Sequence, residues 1–231
     1  MAVILPGTAS TADFVQRAFG PALAAFGIGL VSDDPPRDGD VAGQCAALAE
    51  AVERHRPVLV GGVSIGAHLA ARWAASGTGT HRPEGLLLAM PAWTGPPGPV
   101  AAASTATAGE VERDGIAAVL QRIRAAAWPD ARWVADELAT AWPAYRAEDL
   151  AATLRGTAAS AGPSATELAT LAVPCGVAVL ADDPLHPAAV GREWAAAAPR
   201  AAVVETRLAA VGADRATLGR AALLAWLRAR A

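Results

Sequence analysis

The chain is organised around the stretch Arg56-Pro57-Val58-Leu59-Val60-Gly61-Gly62-Val63-Ser64-Ile65-Gly66-Ala67-His68-Leu69-Ala70. Residues 58–60 are apolar, rich in β-branched side chains and preceded by a proline, which predicts the end of a buried strand. From Ala67 onward, alanine and leucine dominate and predict a helix. Between these two segments, residues 62–66 form a G-x-S-x-G pattern. The sequence therefore places a serine at a strand-to-helix junction.

A serine in this context is typical of a catalytic nucleophile. The flanking glycines permit a turn so sharp that a side chain there would collide with the neighbouring strand and helix. Ser64 is then forced into a strained conformation with its hydroxyl above the sheet. The backbone N–H of Ile65, at the positive end of the helix, can face an oxyanion. The alternative is a glycine-rich turn with an incidental serine, but the strand before it and the helix after it favour the catalytic interpretation.

On these residues the chain resembles the α/β-hydrolase family, whose nucleophile elbow has this pattern. The order of predicted elements extends the resemblance over most of the chain. Buried strands alternating with helices predict an α/β fold with a mostly parallel sheet, helices on both faces and right-handed crossovers. Relative to a full family member, the predicted set of strands lacks the two N-terminal ones. Six strands are predicted, at residues 2–5, 27–31, 58–60, 85–90, 174–180 and 201–206.

A helical cap is expected between the fourth and fifth strands. The proline-rich residues 91–99 leave the sheet where this family inserts a cap. From about residue 108 to 171 the periodicity is helical without a strand signal, and it predicts three or four helices. The single domain 1–231 thus divides into a core, residues 1–95 and 172–231, and a cap at about 100–171. Trp93 either packs in the interior or lines an apolar substrate pocket under the cap.

The loop after the first strand, Pro6-Gly7-Thr8, has a role only through the resemblance. In the family this loop supplies the second N–H of the oxyanion hole, which implies the N–H of Thr8 here. An ordinary loop between a strand and a helix is the alternative.

A serine nucleophile also needs a general base, and a carboxylate to orient that base. Family members have the order serine, acid, histidine. The segment Asp183-Pro184-Leu185-His186-Pro187 resembles the acid loop in its D-P-x-x-P form, so the resemblance implies Asp183 as the acid, with Asp182 as the alternate. In the loop after the last strand, which is expected over residues 208–214, the place of the family histidine is taken by Ala213. No histidine follows His186.

Three interpretations stay open at this point. In the first, His186 serves as the base from the acid loop. In the second, the protein is a non-hydrolytic relative that binds a small molecule, or acts as a lyase, cyclase or isomerase with Ser64 only as a hydrogen-bond donor. In the third, His68 or another group serves as the base, or Ala213 is an engineered change. His68 lies one helical turn after Ser64 and is expected to pack along the helix side.

Composition limits the classes of partner that we expect for the protein. A net charge of −3 without a basic cluster argues against nucleic acid. No apolar run approaches the ~20 residues of a membrane span, and the N-terminus lacks a basic n-region, so we expect a cytoplasmic protein that does not enter membranes. Cys45 and Cys175 are expected to be free thiols. Histidine spacing predicts no metal and we expect no cofactor. The expected partner is a small-molecule substrate, and a homodimer is left open.

Taken together, the sequence predicts a serine hydrolase of the esterase or thioesterase type. It would act on a small carboxylic ester or thioester through an acyl-enzyme at Ser64. The predicted catalytic residues are Ser64, Asp183 and His186, and the predicted oxyanion hole consists of the N–H groups of Ile65 and Thr8.

Overall fold

The sheet has the predicted architecture. A computed structural model, which describes residues 1–231, contains one six-stranded sheet in the order β2-β1-β3-β4-β5-β6. Every neighbouring pair is parallel. The strands are β1 (Ala2–Leu5), β2 (Leu30–Val31), β3 (Leu59–Val63), β4 (Gly85–Ala89), β5 (Cys175–Leu180) and β6 (Ala201–Thr206).

Eleven α-helices connect or cover these strands, and two short 3₁₀ turns occur at Pro129–Ala131 and Trp142–Ala144. None of the helices combines the length and hydrophobicity that crossing a bilayer requires. The helices are α1 (Ala12–Ala24), α2 (Val41–His55), α3 (Ile65–Ser76), α4 (Pro99–Asp114), α5 (Ile116–Ala126), α6 (Arg132–Ala141), α7 (Ala147–Ala159), α8 (Ala165–Ala169), α9 (Ala188–Ala197), α10 (Leu208–Ala213) and α11 (Ala216–Arg230).

Each face of the sheet carries its own apolar core, as a sheet covered by helices on both sides requires. In β4, Leu87 belongs to one core, together with Phe19 of α1 and Leu223 of α11. Leu86 and Leu88 belong to the other core, where α2, α3 and α9 pack. This alternation follows from the two-residue period of a strand. It also explains why the strand segments read as nearly continuous apolar runs.

Several element boundaries differ from those predicted. β3 continues through its two glycines to Val63. At Gly61 a side chain would not fit, since its Cβ would lie 2.1 Å from the carbonyl oxygen of Leu87 in β4. These glycines therefore permit a close approach inside the sheet rather than ending the strand. β2 is only two residues long, Leu30–Val31, at the edge of the sheet. The expected loop over residues 208–214 contains the helix α10.

The cap consists of α4 to α8 and the two 3₁₀ turns, all inserted between β4 and β5. This is more helices than the three or four predicted. The first cap helix begins at Pro99, earlier than the periodicity indicated, because a proline is well tolerated in the first turn of a helix. The cap has its own apolar interior around Trp142 and Leu150, which also includes Ala9 of the loop after β1.

Helix α6 of the cap is fastened to the core by a charged cluster. Glu137 accepts hydrogen bonds from Arg17 of α1 at 2.6 Å and from Arg215, just before α11, at 2.9 Å. The guanidinium of Arg215 also lies over the ring of Trp133, 4.6 Å from its centre. The indole N–H of Trp133 in turn donates to the carbonyl of Leu208 at 3.0 Å. The cap is thus tied to α1 and to the segment around α10 and α11 by side-chain contacts as well as by its two chain connections.

We expect Glu137→Gln to lower the free energy of unfolding by about 1–2 kcal/mol, since the variant leaves two arginines without their carboxylate. Burial alone would raise the pKa of Glu137, but the hydrogen bonds from Arg17 and Arg215 outweigh it, and the pKa is lowered. The carboxylate therefore stabilises the fold at neutral pH, and this contribution is lost as the pH falls below the ordinary value of 4.5.

Urea unfolding at pH 7 and at successively lower pH measures this difference. The matched control is Glu148→Gln, whose partner Arg146 is 73% exposed, and which should change stability by less than about 0.5 kcal/mol. Equal effects of the two substitutions would contradict a fastening role for Glu137.

Candidate active site

Ser64 occupies a strained turn between β3 and α3. Its backbone angles are φ 55° and ψ −117°, in a region that favours glycine. The turn depends on the glycines on either side of it. A Cβ at Gly62 would lie 2.2 Å from the carbonyl carbon of Gly66, and one at Gly66 would lie 2.6 Å from the carbonyl oxygen of Pro6. The helix therefore starts so close to the strands that Ser64 stands at the carboxyl edge of the sheet.

His186 and Asp183 complete a hydrogen-bonded chain with this serine. The Nε2 atom of His186 lies 3.0 Å from the Oγ of Ser64, and its Nδ1 lies 2.8 Å from an oxygen of Asp183. With a proton on Nδ1 donated to the carboxylate, Nε2 is free to accept from the serine hydroxyl. Of the three interpretations that the sequence left open, this geometry agrees with the first, in which the base lies on the acid loop.

The carboxyl group of Asp183 is held in its ionised form. Its side chain is only 7% exposed, and burial alone would raise its pKa. The hydrogen bond to His186, with further bonds from the backbone N–H groups of Leu185 and His186, outweighs burial and lowers the pKa. Asp183 can therefore remain a carboxylate at neutral pH and fix the orientation of the imidazole.

Asp182, the alternate acid, has a different function in the structure. One of its oxygens accepts from the backbone N–H of Leu208 at 2.8 Å, at the first residue of α10, and the other accepts from Arg207 at 3.3 Å. It thus stabilises the beginning of α10. Ala213, at the last residue of the same helix, is exposed. Of the two adjacent aspartates, Asp183 therefore bonds the imidazole of His186, and Asp182 bonds the segment after β6.

The loop after β1 lies against the serine. A Cβ at Gly7 would be 3.5 Å from the Cβ of Ser64. The backbone N–H of the next residue, Thr8, donates to no acceptor of the protein, and its hydroxyl bonds that of Thr157 in α7 at 3.2 Å. Ile65 is the first residue of α3, so its N–H lacks a carbonyl partner within the helix. An oxyanion hole formed by the N–H groups of Ile65 and Thr8 stays a prediction.

Trp93 and His68 pack against each other below the cap. Trp93 is 6% exposed, and its indole N–H donates to the carbonyl of Ser160 at 3.2 Å. The ring centres of Trp93 and His68 are 4.7 Å apart in an edge-to-face arrangement. This contact is the packing alternative of the two considered for Trp93, and a role in the substrate pocket stays a prediction.

The ring of His68 bonds the segment after β4 and packs between Trp93 and Trp194. It is 1% exposed, and its Nε2 accepts from the backbone N–H of Ala92 at 3.0 Å. Burial, with smaller contributions from the charges of His186 and Arg72, lowers its pKa to about 3. His68 is therefore a neutral, structurally engaged imidazole.

The sequence did not predict the structural contacts of two residues next to the site. Thr157 is one of many small residues in an alanine-rich helix, and only the packing of α7 over the loop after β1 brings it to Thr8. Asp182 was considered only as a second acid, because its capping of α10 depends on a helix that the sequence did not predict.

Comparisons with known proteins agree with this architecture. Neither a protein-family model nor a curated protein sequence matches the chain. Among solved structures, the chain is similar to MenH from S. aureus, with a TM-score of 0.71 and 15% identity over 98% of this chain and 92% of that one. It is similar to the enol-lactonase from Burkholderia xenovorans LB400, with a TM-score of 0.72 and 16% identity over 98% and 90% of the two chains. It is also similar to a thermophilic esterase from Thermogutta terrifontis, with a TM-score of 0.72 and 18% identity over 98% of this chain and 89% of that one. The fold is thus the α/β-hydrolase fold.

The strain at Ser64 predicts an unusual order of stability among its variants. Glycine accepts the backbone angles of this position, whereas alanine keeps the penalty of a Cβ. We expect Ser64→Gly to be more stable than Ser64→Ala by about 1 kcal/mol, although glycine at an ordinary position is the less stable of the two. Urea unfolding of the two variants measures the difference. A Ser64→Ala protein as stable as Ser64→Gly would show that the turn carries no strain.

Proposed function

We propose that the protein is a serine hydrolase that cleaves small carboxylic esters or thioesters through an acyl-enzyme at Ser64. The observation that supports this function best is the continuous chain from the Ser64 hydroxyl through His186 to Asp183, with contacts of 3.0 Å and 2.8 Å. A nucleophile, a base within hydrogen-bond reach and a carboxylate behind the base are the three groups that this chemistry requires.

In the first half of the reaction, the Oγ of Ser64 attacks the carbonyl carbon of the substrate while His186 Nε2 takes the hydroxyl proton. The carbonyl oxygen becomes an oxyanion that the N–H groups of Ile65 and Thr8 stabilise. The imidazolium of His186 is stabilised by the carboxylate of Asp183. The bond from the carbonyl carbon to the leaving oxygen or sulfur then breaks, and the departing alcohol or thiol receives the proton from Nε2.

Water completes the cycle by the same steps. His186 removes a proton from a water molecule, whose oxygen attacks the acyl carbon and forms a second oxyanion at the same N–H groups. When the bond to Ser64 breaks, the serine oxygen takes the proton back from Nε2. The free acid leaves, and the Ser64–His186 hydrogen bond is restored.

The structural neighbours add support of a general kind. Proteins described as an esterase and an enol-lactonase share this fold, and both names denote cleavage of an ester bond. Their identities of 18% and 16% carry no residue roles to this chain. The proposal depends on the site geometry, and the neighbours agree with its reaction class.

A non-hydrolytic function is the second candidate. The observation in its favour is Ala213, which occupies the place of the family histidine and leaves the segment after β6 without a titratable imidazole. On this alternative Ser64 would bind a small molecule or act only as a hydrogen-bond donor. The two candidates differ in whether the serine is nucleophilic.

A fluorophosphonate probe, together with hydrolysis of p-nitrophenyl acetate, tests the hydrolase. We expect the wild-type protein to be labelled, Ser64→Ala to be unlabelled, and His186→Ala to lose about 10³-fold or more in kcat. Asp183→Asn should lose on the order of 10³–10⁴-fold, because the imidazole is then held in the wrong tautomer. The absence of labelling in a well-folded wild-type sample would favour the non-hydrolytic function.

A histidine introduced at position 213, where the family resemblance places one, should not raise the activity. Because His186 already bonds Ser64, we expect Ala213→His to change kcat/KM for p-nitrophenyl acetate by less than about twofold, as a surface substitution does. Ala209→His, at another exposed position of α10, is the matched control. A large increase in the Ala213→His protein alone would mean that His186 is not the working base and that the alanine marks a disabled site.

A further inference from the structure

The ring of His68 lies between the segment that leads into the cap and the segment that joins α7 to α8, the helix whose Leu168 packs in the core of the sheet. On the outgoing segment, the N–H of Ala92 donates to Nε2 of His68 at 3.0 Å. On the returning segment, a Cβ at Gly162 would be 3.3 Å from its Nδ1. The two segments also bond each other, through Gly95 to Pro163 at 2.9 Å and Gly162 to Gly95 at 2.8 Å. We call residues 92–95 and 160–163 the cap hinge.

The same ring also contacts the helix that follows the acid loop. Trp194 of α9 packs on His68 with ring centres 5.2 Å apart. Its indole N–H donates to the hydroxyl of Thr94, in the cap hinge, at 3.0 Å. α9 begins directly after the loop that carries His186. The imidazole of His68 therefore connects α3, which follows Ser64, with the cap hinge and with α9.

The protonation state of His68 fits a positional role and no role in proton transfer. Because Nε2 accepts from a backbone N–H, the ring is the neutral tautomer with its proton on Nδ1. That Nδ1 is buried without a hydrogen-bond partner. The titratable or charged groups that influence the ring are His186 and Arg72, and with burial they lower its pKa to about 3. The ring therefore stays uncharged at any pH at which the protein is expected to work.

We propose that His68 is a positioning residue that fixes the cap hinge above Ser64 and His186, so that substrates which reach the cap depend on it. The inference rests on the proposed hydrolase function. Without an acceptor at position 68, the buried N–H of Ala92 is unsatisfied, and the cap hinge can regain a partner for it only by moving. A shift of the cap misplaces a substrate that contacts it, whereas an acetyl group at Ser64 is too small to depend on the cap.

Two substitutions separate the acceptor from the bulk of the ring. His68→Phe keeps an aromatic ring but has no acceptor. His68→Gln places its amide oxygen as many bonds from Cα as Nε2 is, so it can accept from Ala92. The control is His81→Phe, which removes a partly buried imidazole whose Nε2 lies 2.7 Å from the backbone oxygen of Pro57, away from the cap hinge.

The first measurement compares kcat and KM for p-nitrophenyl acetate and p-nitrophenyl octanoate. In His68→Phe we expect the ratio of kcat/KM for octanoate to that for acetate to fall about tenfold, mainly through a higher KM for octanoate. In His68→Gln and His81→Phe the ratio should stay within about twofold of wild type. An unchanged ratio in His68→Phe, or an equal fall in His68→Gln, overturns the proposal.

Deuterium exchange of peptides covering residues 92–95 and 160–163 gives a second readout that needs no activity. Both segments should exchange faster in His68→Phe, and close to wild type in His68→Gln and His81→Phe. If the wild type is not labelled by a fluorophosphonate, the hydrolase proposal fails, but the exchange comparison still decides whether His68 holds the cap hinge. Uniformly faster exchange over the whole core of His68→Phe would show a general packing role and overturn the positioning role.

Discussion

The contact of α3 with the strands beneath it is the constraint on which the site depends. Backbone atoms of Gly62, Gly66 and Pro6 approach so closely that no side chain fits between them. This close approach holds Ser64 in a strained conformation at the edge of the sheet, between the loop after β1 and the acid loop. A strained residue persists only where its surroundings fix it, and here β1, β3 and β4 are buried on both faces.

Asp183 and His186 lie on one loop, so the fold has to position only this loop relative to Ser64. Asp183 and His186 are three residues apart, so their mutual geometry is local and is supported by the N–H of Leu185, which donates to the carboxylate at 2.8 Å. The long-range requirement is the single contact from His186 to Ser64. That contact spans β3 and β5, which are separated in the sheet by β4 and held in register by continuous parallel pairing.

The sequence was informative wherever a local pattern determined the structure. Continuous apolar runs predicted all six strands, and G-x-S-x-G at a strand-to-helix junction predicted the position of Ser64. The position of His186 was not decided, because the reach of an imidazole across 122 residues of sequence depends on loop geometry that no periodicity records. The same reason applies to α10, whose beginning is stabilised by Asp182, a residue distant in sequence. The packing of His68 against the cap hinge depends likewise on tertiary contacts alone.

The segment after β6 makes structural contacts in this chain. The resemblance to the α/β-hydrolase family led us to expect a histidine in this segment, where the chain has Ala213. In this chain the segment forms α10, whose first residue is Leu208. The backbone N–H of Leu208 donates to Asp182, and its carbonyl accepts from the indole N–H of Trp133 in the cap. The neighbouring Arg215 joins the Glu137 cluster on the same side. The segment after β6 therefore helps to fasten the cap, while the imidazole that bonds Ser64 comes from the loop after β5.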